Sequence, residues 1–125
     1  MPGSDGPKGL IGVFDSGVGG LSILNALRQR LPSCSFYYVA DQAHMPYGSR
    51  SPEEVRAFAE GITRFLLAQG AALIVVACNT ATTLAISALR RRFPATPFVG
   101  VEPALKPAVA QSRSHVVGIL ATAAT

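Results

Sequence analysis

Short apolar runs alternate along the chain with amphipathic stretches, and the alternation predicts each element in turn. Residues 10–14 form the first run, closed by Asp15-Ser16-Gly17-Val18-Gly19-Gly20. Leu21, Leu24, Leu27 and Leu31 then share one helical face, with Arg28 and Arg30 elsewhere, and Pro32 stops the helix. Residues 35–40 read as a second strand, followed by a loop over 41–50 that carries His44, Pro46, Tyr47 and Gly48. Ser51 can cap the next helix, Pro52 suits its first position, and Glu54 completes a capping box. Val55, Phe58, Ile62, Phe65 and Leu66 recur at helical spacing up to Gly70. Residues 72–77 are continuously apolar, as a strand buried on both faces should be. Cys78-Asn79-Thr80 sits at its carboxyl end, and a helix is predicted over about 80–92. A fourth strand over 98–101 ends at Glu102-Pro103, a short helix covers about 104–111, and residues 116–120 read as a fifth strand.

Strands alternating with helices predict an α/β fold of three layers, a mostly parallel sheet with helices on both faces and right-handed crossovers. Ligands of such sheets bind beyond the carboxyl ends of the strands. That rule gathers Asp15, Ser16, the 41–48 loop, Cys78, Asn79, Thr80, Glu102 and Thr122 on one rim. Residues 1–9 are polar and rich in Gly and Pro, a disordered tail without signal-peptide form. Residues 10–125 make one α/β domain, with no repeats and no linker dividing it.

Composition narrows the function classes. At 49% hydrophobic and 14% charged, 125 residues are long and apolar enough to bury a core, which excludes disorder for most of the chain. The charged share is well below the roughly 25% of an ordinary soluble domain, which hints at surface meant to be covered. The net charge of +4 would invite a nucleic-acid partner. However, the one dense basic run, Arg90-Arg91-Arg92, falls at a helix end, where the dipole favours cations. No aromatic residues interleave with basic ones, so neither nucleic acid nor membrane is expected as a partner. No run is long enough to span a bilayer. Cys34 and Cys78 cannot build a disulfide framework and have no metal-ligand spacing, so no metal is expected and a reducing cytoplasm is the default.

The glycine loop is not a dinucleotide fingerprint, because the sixth position is Ser22, and no Walker lysine follows it. Asp41 lies where a ribose-binding acid would be, but Asp15 would repel a pyrophosphate. Free N–H groups at the loop suit a small carboxylate. Cys78 is either a buried small hydrophobe or a reactive thiol whose pKa the helix it opens would lower. A thiolate there could be a nucleophile or a proton-transfer base. His44 is the one rim histidine that a cysteine hydrolase could use, whereas Cys34 falls at the opposite edge. Asp15 and Ser16 are either helix caps or ligands for an ammonium and a carboxylate. With Asn79 and Thr80 they read as a cradle for a zwitterionic amino acid beside a thiol.

Five segments carry a resemblance to the glutamate racemases, within the aspartate/glutamate racemase superfamily. They are Ile11 through Leu21, Tyr38-Val39-Ala40-Asp41 leading to Pro46-Tyr47-Gly48, Val76 through Ala81, Gly100 through Pro103, and Gly118 through Thr122. The resemblance implies cofactor-independent interconversion of L- and D-glutamate, which supplies D-glutamate for peptidoglycan. It also implies two cysteines on opposite faces of the substrate, one removing the α-proton and the other returning it. Cys78 matches the first cysteine, and Asp15 is placed to assist it. Asp15, Ser16, Tyr47, Gly48, Asn79 and Thr80 match substrate-holding positions, with Thr122 and Thr125 nearby.

The second cysteine belongs to a Cys-Thr-His motif in the second half of the family's chain, and this sequence contains no such motif. The expectation is therefore the N-terminal half of a two-domain racemase, cut off after its fifth strand and inactive alone. A homodimer is left open. The competing classes are a non-catalytic amino-acid-binding or partner module, another amino-acid racemase such as an aspartate racemase, and the cysteine hydrolase.

Overall fold

A computed structural model describes residues 9–125, so the expected tail lies almost wholly outside the described residues. Four strands, β1 (Leu10–Asp15), β2 (Ser35–Ala40), β3 (Ala71–Val76) and β4 (Phe98–Gly100), form one parallel sheet in the order β2-β1-β3-β4. The connecting helices are α1 (Leu21–Arg30), α2 (Pro52–Ala68) and α3 (Asn79–Arg92), and α4 (Leu105–Gln111) follows β4. Among the described residues no helix is long and apolar enough to cross a membrane.

The helices divide between the two faces. Phe14, Ile74 and Val76 point into the larger core with Val55, Ala59 and Leu66 of α2 and Ala81, Ala85 and Leu89 of α3. Ile11, Val13 and Val75 point the other way, against Ile23, Leu24, Leu27 and Leu31 on the α1 side. Full burial of side chains as large as Phe14, Leu66 and Ile74 contributes about 1.5–3 kcal/mol each. The expected three-layer arrangement is thus observed.

Local signals explain the element ends. Ser51 accepts the Glu54 N–H at 3.2 Å while the Glu54 carboxylate accepts the Ser51 N–H at 2.8 Å, the reciprocal box that starts α2. Gly70 takes a left-handed φ of +91° just after α2, a conformation glycine adopts without Cβ strain. At the end of α3, Arg90 donates to the Phe98 carbonyl and Arg92 to Glu60, so two of the three clustered arginines serve the fold.

Three expectations need correction. Residues 116–120 are not a strand: Val116, Ile119 and Leu120 are exposed, and no ladder forms on the outer side of β4. An apolar, β-branched run is strand-like only when a neighbour accepts its hydrogen bonds, and β4 itself is three residues long. Leu21 is exposed, and Ile23 takes its place in the apolar face of α1. Finally, β3 is buried on both faces only over its carboxyl half, because Ala72 and Leu73 retain exposure on the side that α1 covers thinly. An apolar groove of about 330 Å³ opens there, lined by Leu27, Leu31, Leu73, Val99 and Val101 among others.

Candidate active site

The strand order reverses at β1. The chain leaves β1 toward α1 on one face, whereas β3 feeds α3 on the other, so a crevice opens between the carboxyl ends of β1 and β3. Asp15 ends β1, and Cys78 follows β3 as the N-cap residue of α3. The Cys78 backbone is extended there, and its Sγ accepts the Ala81 N–H at 3.4 Å. The Cys78 thiol donates to Ser16 Oγ at 3.9 Å, and the Ser16 hydroxyl donates to Asp15 Oδ1 at 3.4 Å. Thiol, hydroxyl and carboxylate thus form one line across the crevice.

The expected fall in the thiol pKa is overturned. Burial pushes the Cys78 thiol above its ordinary value, with the Asp15 carboxylate adding to the rise. The N–H of Ala81 and the contacts with Ser16 pull the other way without prevailing. A helix N-terminus favours the anion, but desolvation penalises it more when the sulfur is this deeply buried.

Asp15 is a rim group that also braces the glycine loop, although α1 itself has no side-chain cap. Its two carboxylate oxygens accept the N–H groups of Ser16 and Gly20, each at 2.7 Å, which closes the glycine loop over β1. Gly20 has no room for a side chain: a Cβ would come within about 3 Å of Asp15, the Tyr38 hydroxyl and Ala77. The loop is less open to a ligand than expected. Gly20 N–H is held by Asp15, Leu21 N–H by Val18 and Ser22 N–H by Gly19. At α3, by contrast, the N–H groups of Asn79 and Thr80 fall in the first turn, which has no carbonyl of its own helix to meet.

The 41–50 loop folds into two short 3-10 turns, Gln42–His44 and Tyr47–Ser49. Asp41 N–H donates to Asp15 O at 2.9 Å, tying the loop to β1. The Asp41 carboxylate then accepts His44 Nδ1–H at 2.8 Å and the Tyr47 hydroxyl at 2.5 Å. Tyr47 is buried, and burial with the bond to Asp41 drives its pKa far up, so it remains a phenol. His44 stacks on Phe58 of α2, with ring centroids 3.8 Å apart, and makes no hydrogen bond to Cys78. The pairing that a cysteine hydrolase would need is absent.

Gly48 faces Thr122, whose methyl lies 2.9 Å from where a Cβ would stand. Thr122 shares a hydrogen bond with the buried Thr80 at 2.9 Å and another with Thr125 at 3.0 Å. The structure therefore brings Asp15, Ser16, Tyr47, Gly48, Asn79, Thr80, Cys78 and Thr122 to one rim, and leaves Glu102 exposed beyond β4. Cys34 precedes β2 at the opposite end of the sheet. Tyr38 was not singled out by the sequence. Its hydroxyl reaches the rim and donates to the Gly17 carbonyl at 2.9 Å, and burial with the charge of Asp15 raises its pKa. Its place at the head of the Tyr38-Val39-Ala40-Asp41 segment and near the carboxyl end of a strand are the signals that could have marked it.

A family model for Asp/Glu/Hydantoin racemase matches residues 21–125. The chain belongs to this racemase family. It is 57% identical over 115 residues to a glutamate racemase of Roseiflexus sp. (strain RS-1), an overlap of 92% of this chain and 42% of that relative. A glutamate racemase of Ectopseudomonas mendocina (strain ymp) is 58% identical, with 92% and 44% covered. Among solved structures, Escherichia coli glutamate racemase in complex with L-glutamate and the activator UDP-MurNAc-ala superposes with a TM-score of 0.81 at 40% identity, over 86% of this chain and 41% of that one. Thermus thermophilus glutamate racemase in complex with beta-chloro-D-alanine gives 0.73 at 51% identity, over 82% and 40%. The four-stranded parallel sheet with its helices is thus the racemase fold, and the chain spans about two-fifths of the length of these relatives.

Proposed function

We propose that the chain supplies one half of a racemase site that interconverts L- and D-glutamate, with Cys78 as one of two proton-transfer bases. The supporting observation is the line Cys78–Ser16–Asp15 at the point where the strand order reverses. In the forward step the Cα–H bond breaks, the proton joins the Cys78 sulfur, and the electron pair spreads into the substrate carboxylate. Donors preorganised around that carboxylate lower the barrier. The first-turn N–H groups of Asn79 and Thr80, the hydroxyls of Ser16, Thr80 and Thr122, and the Tyr47-Gly48 backbone take this role. Because Cys78 is protonated when at rest, it must first lose its proton, and Ser16 offers a route toward Asp15. Inversion needs a second base on the opposite face, since a single base returns the proton to the side it came from.

Cys34 lies at the opposite end of the sheet, so in this reading neither cysteine of the chain serves as the second base and the chain alone is not expected to invert glutamate. The D-glutamate formed by the complete site would enter peptidoglycan synthesis in the cytoplasm. Calorimetry with L- and D-glutamate tests the half-site. Saturable binding that Ser16→Ala or Thr80→Val weakens about tenfold, the effect of one lost hydrogen bond to a charged group, is expected. Absence of binding for both enantiomers, or equal binding by the variants, contradicts it.

A further inference from the structure

We infer that His44 is a positioning residue for the Tyr47-Gly48 edge of the site, acting through Asp41 and Phe58 rather than on substrate. The inference rests on the racemase reading above for its functional consequence, and on geometry alone for its structural one. His44 is gripped from two sides. Nδ1 meets both oxygens of Asp41, at 2.8 and 3.0 Å, and the ring lies nearly flat on Phe58, at 3.8 Å and 13°.

The same two partners hold Tyr47. Its hydroxyl donates to the Asp41 oxygen Oδ2, and its ring leans on Phe58 at 5.9 Å. Arg50 closes the ring of contacts, with Nε donating to the His44 carbonyl at 3.3 Å and the guanidinium 5.5 Å from the Phe58 centroid. The side chains of Asp41, His44, Tyr47 and Arg50 are therefore paired within the loop or with α2.

The consequence is geometric. The Tyr47 hydroxyl spends its donor on Asp41, while the Tyr47–Ser49 turn packs on α3. Gly48 is pressed toward Thr122, which is bonded to Thr80. Met45, from the same loop, abuts Gly17 beside Ser16. Loosening His44 lets residues 44–48 drift from Gly17 and Thr122, their neighbours on the rim, without removing any group that a substrate would touch.

Two variants separate the hydrogen bond from the stack: His44→Phe keeps an aromatic ring on Phe58, and His44→Gln keeps an N–H for Asp41. The readouts on the full 125-residue chain are the iodoacetamide alkylation rate of Cys78, resolved by mass spectrometry, the amide resonances of Gly48 and Gly12, and D-glutamate affinity. His44→Phe is expected to raise alkylation about tenfold, the effect of one lost hydrogen bond to a charged group, and to shift Gly48 but not Gly12 in the core. Its melting temperature is expected to stay near that of the parent, and His44→Gln is expected to restore part of the parental alkylation rate. Parental alkylation and an unmoved Gly48 in His44→Phe overturn the inference. A parent chain that binds no glutamate, with alkylation still responding to His44→Phe, supports the positioning role and counts against the racemase reading alone.

Discussion

Cys78 is held between two opposing fields. The start of α3 offers the Ala81 N–H to its sulfur, which favours the thiolate, whereas burial and the Asp15 carboxylate disfavour it and prevail. Two outcomes follow. Alkylation of Cys78 against pH is expected to rise with an inflection above the ordinary thiol value of 9.0. A thiol whose folded pKa is raised also contributes stability that is complete below the unfolded pKa and is lost as pH climbs through the folded one. The loss therefore begins near pH 9 and is reduced in Cys78→Ser, which removes the titrating sulfur. A flat stability profile above pH 9, identical in both proteins, would refute this account of the site.

A second residue carries a cost with no visible return: Thr63 is fully buried in α2, and its hydroxyl has no hydrogen-bond partner. Thr63→Val keeps the shape and removes the unpaired oxygen. It is expected to stabilise the chain by about 1 kcal/mol in urea unfolding. The place of Cys78 on the rim was legible because position, neighbours and strand end coincide in the sequence. The direction of its pKa was not, because burial depends on Asp15 and Tyr47, which arrive from other elements.

At the scale of elements, α3 and β4 meet in a close joint at Gly100. A Cβ on Gly100 would run into Thr82 and Ile86, and the Thr82 hydroxyl already ties α3 to the end of β3, by donating to the Val76 carbonyl, and to the residue after β4, by accepting the Val101 N–H. Gly100→Ala forces α3 outward, since the obstructing Thr82 cannot swing away without breaking those bonds. A loss of about 1–3 kcal/mol is expected from overpacking, read as a lower urea midpoint. An unchanged midpoint would mean that the joint yields freely.

Elements with local codes were legible in advance. The Ser51–Glu54 box and the Pro32 stop depend on residues within a turn of each other. The 116–120 run was misread because strand formation depends on a neighbour that no local pattern names. The clasp of the 41–50 loop on Phe58 was invisible for the same reason: Phe58 reads as a helix core position, and its stacking partner comes from another element.

At the scale of the whole molecule, the topology explains why residues far apart in sequence meet. Reversal of strand order at β1 places the ends of β1 and β3 side by side, and the register Phe14↔Val76 aligns them. One face of the sheet carries both α2 and α3, while the other carries α1 and an open apolar groove. The low charge content is consistent with that uncovered surface. Among the described residues the rim holds one thiol, and under the proposed function, where inversion takes two bases, it would carry half of the reaction.

The decisive measurement is proton NMR in deuterium oxide, following the α-proton of L-glutamate and of D-glutamate separately with the purified chain and with Cys78→Ala. Deuterium incorporation into one enantiomer only, without inversion and dependent on Cys78, is the expected result. Inversion by the chain alone, exchange that survives in Cys78→Ala, or no exchange with either enantiomer contradicts it.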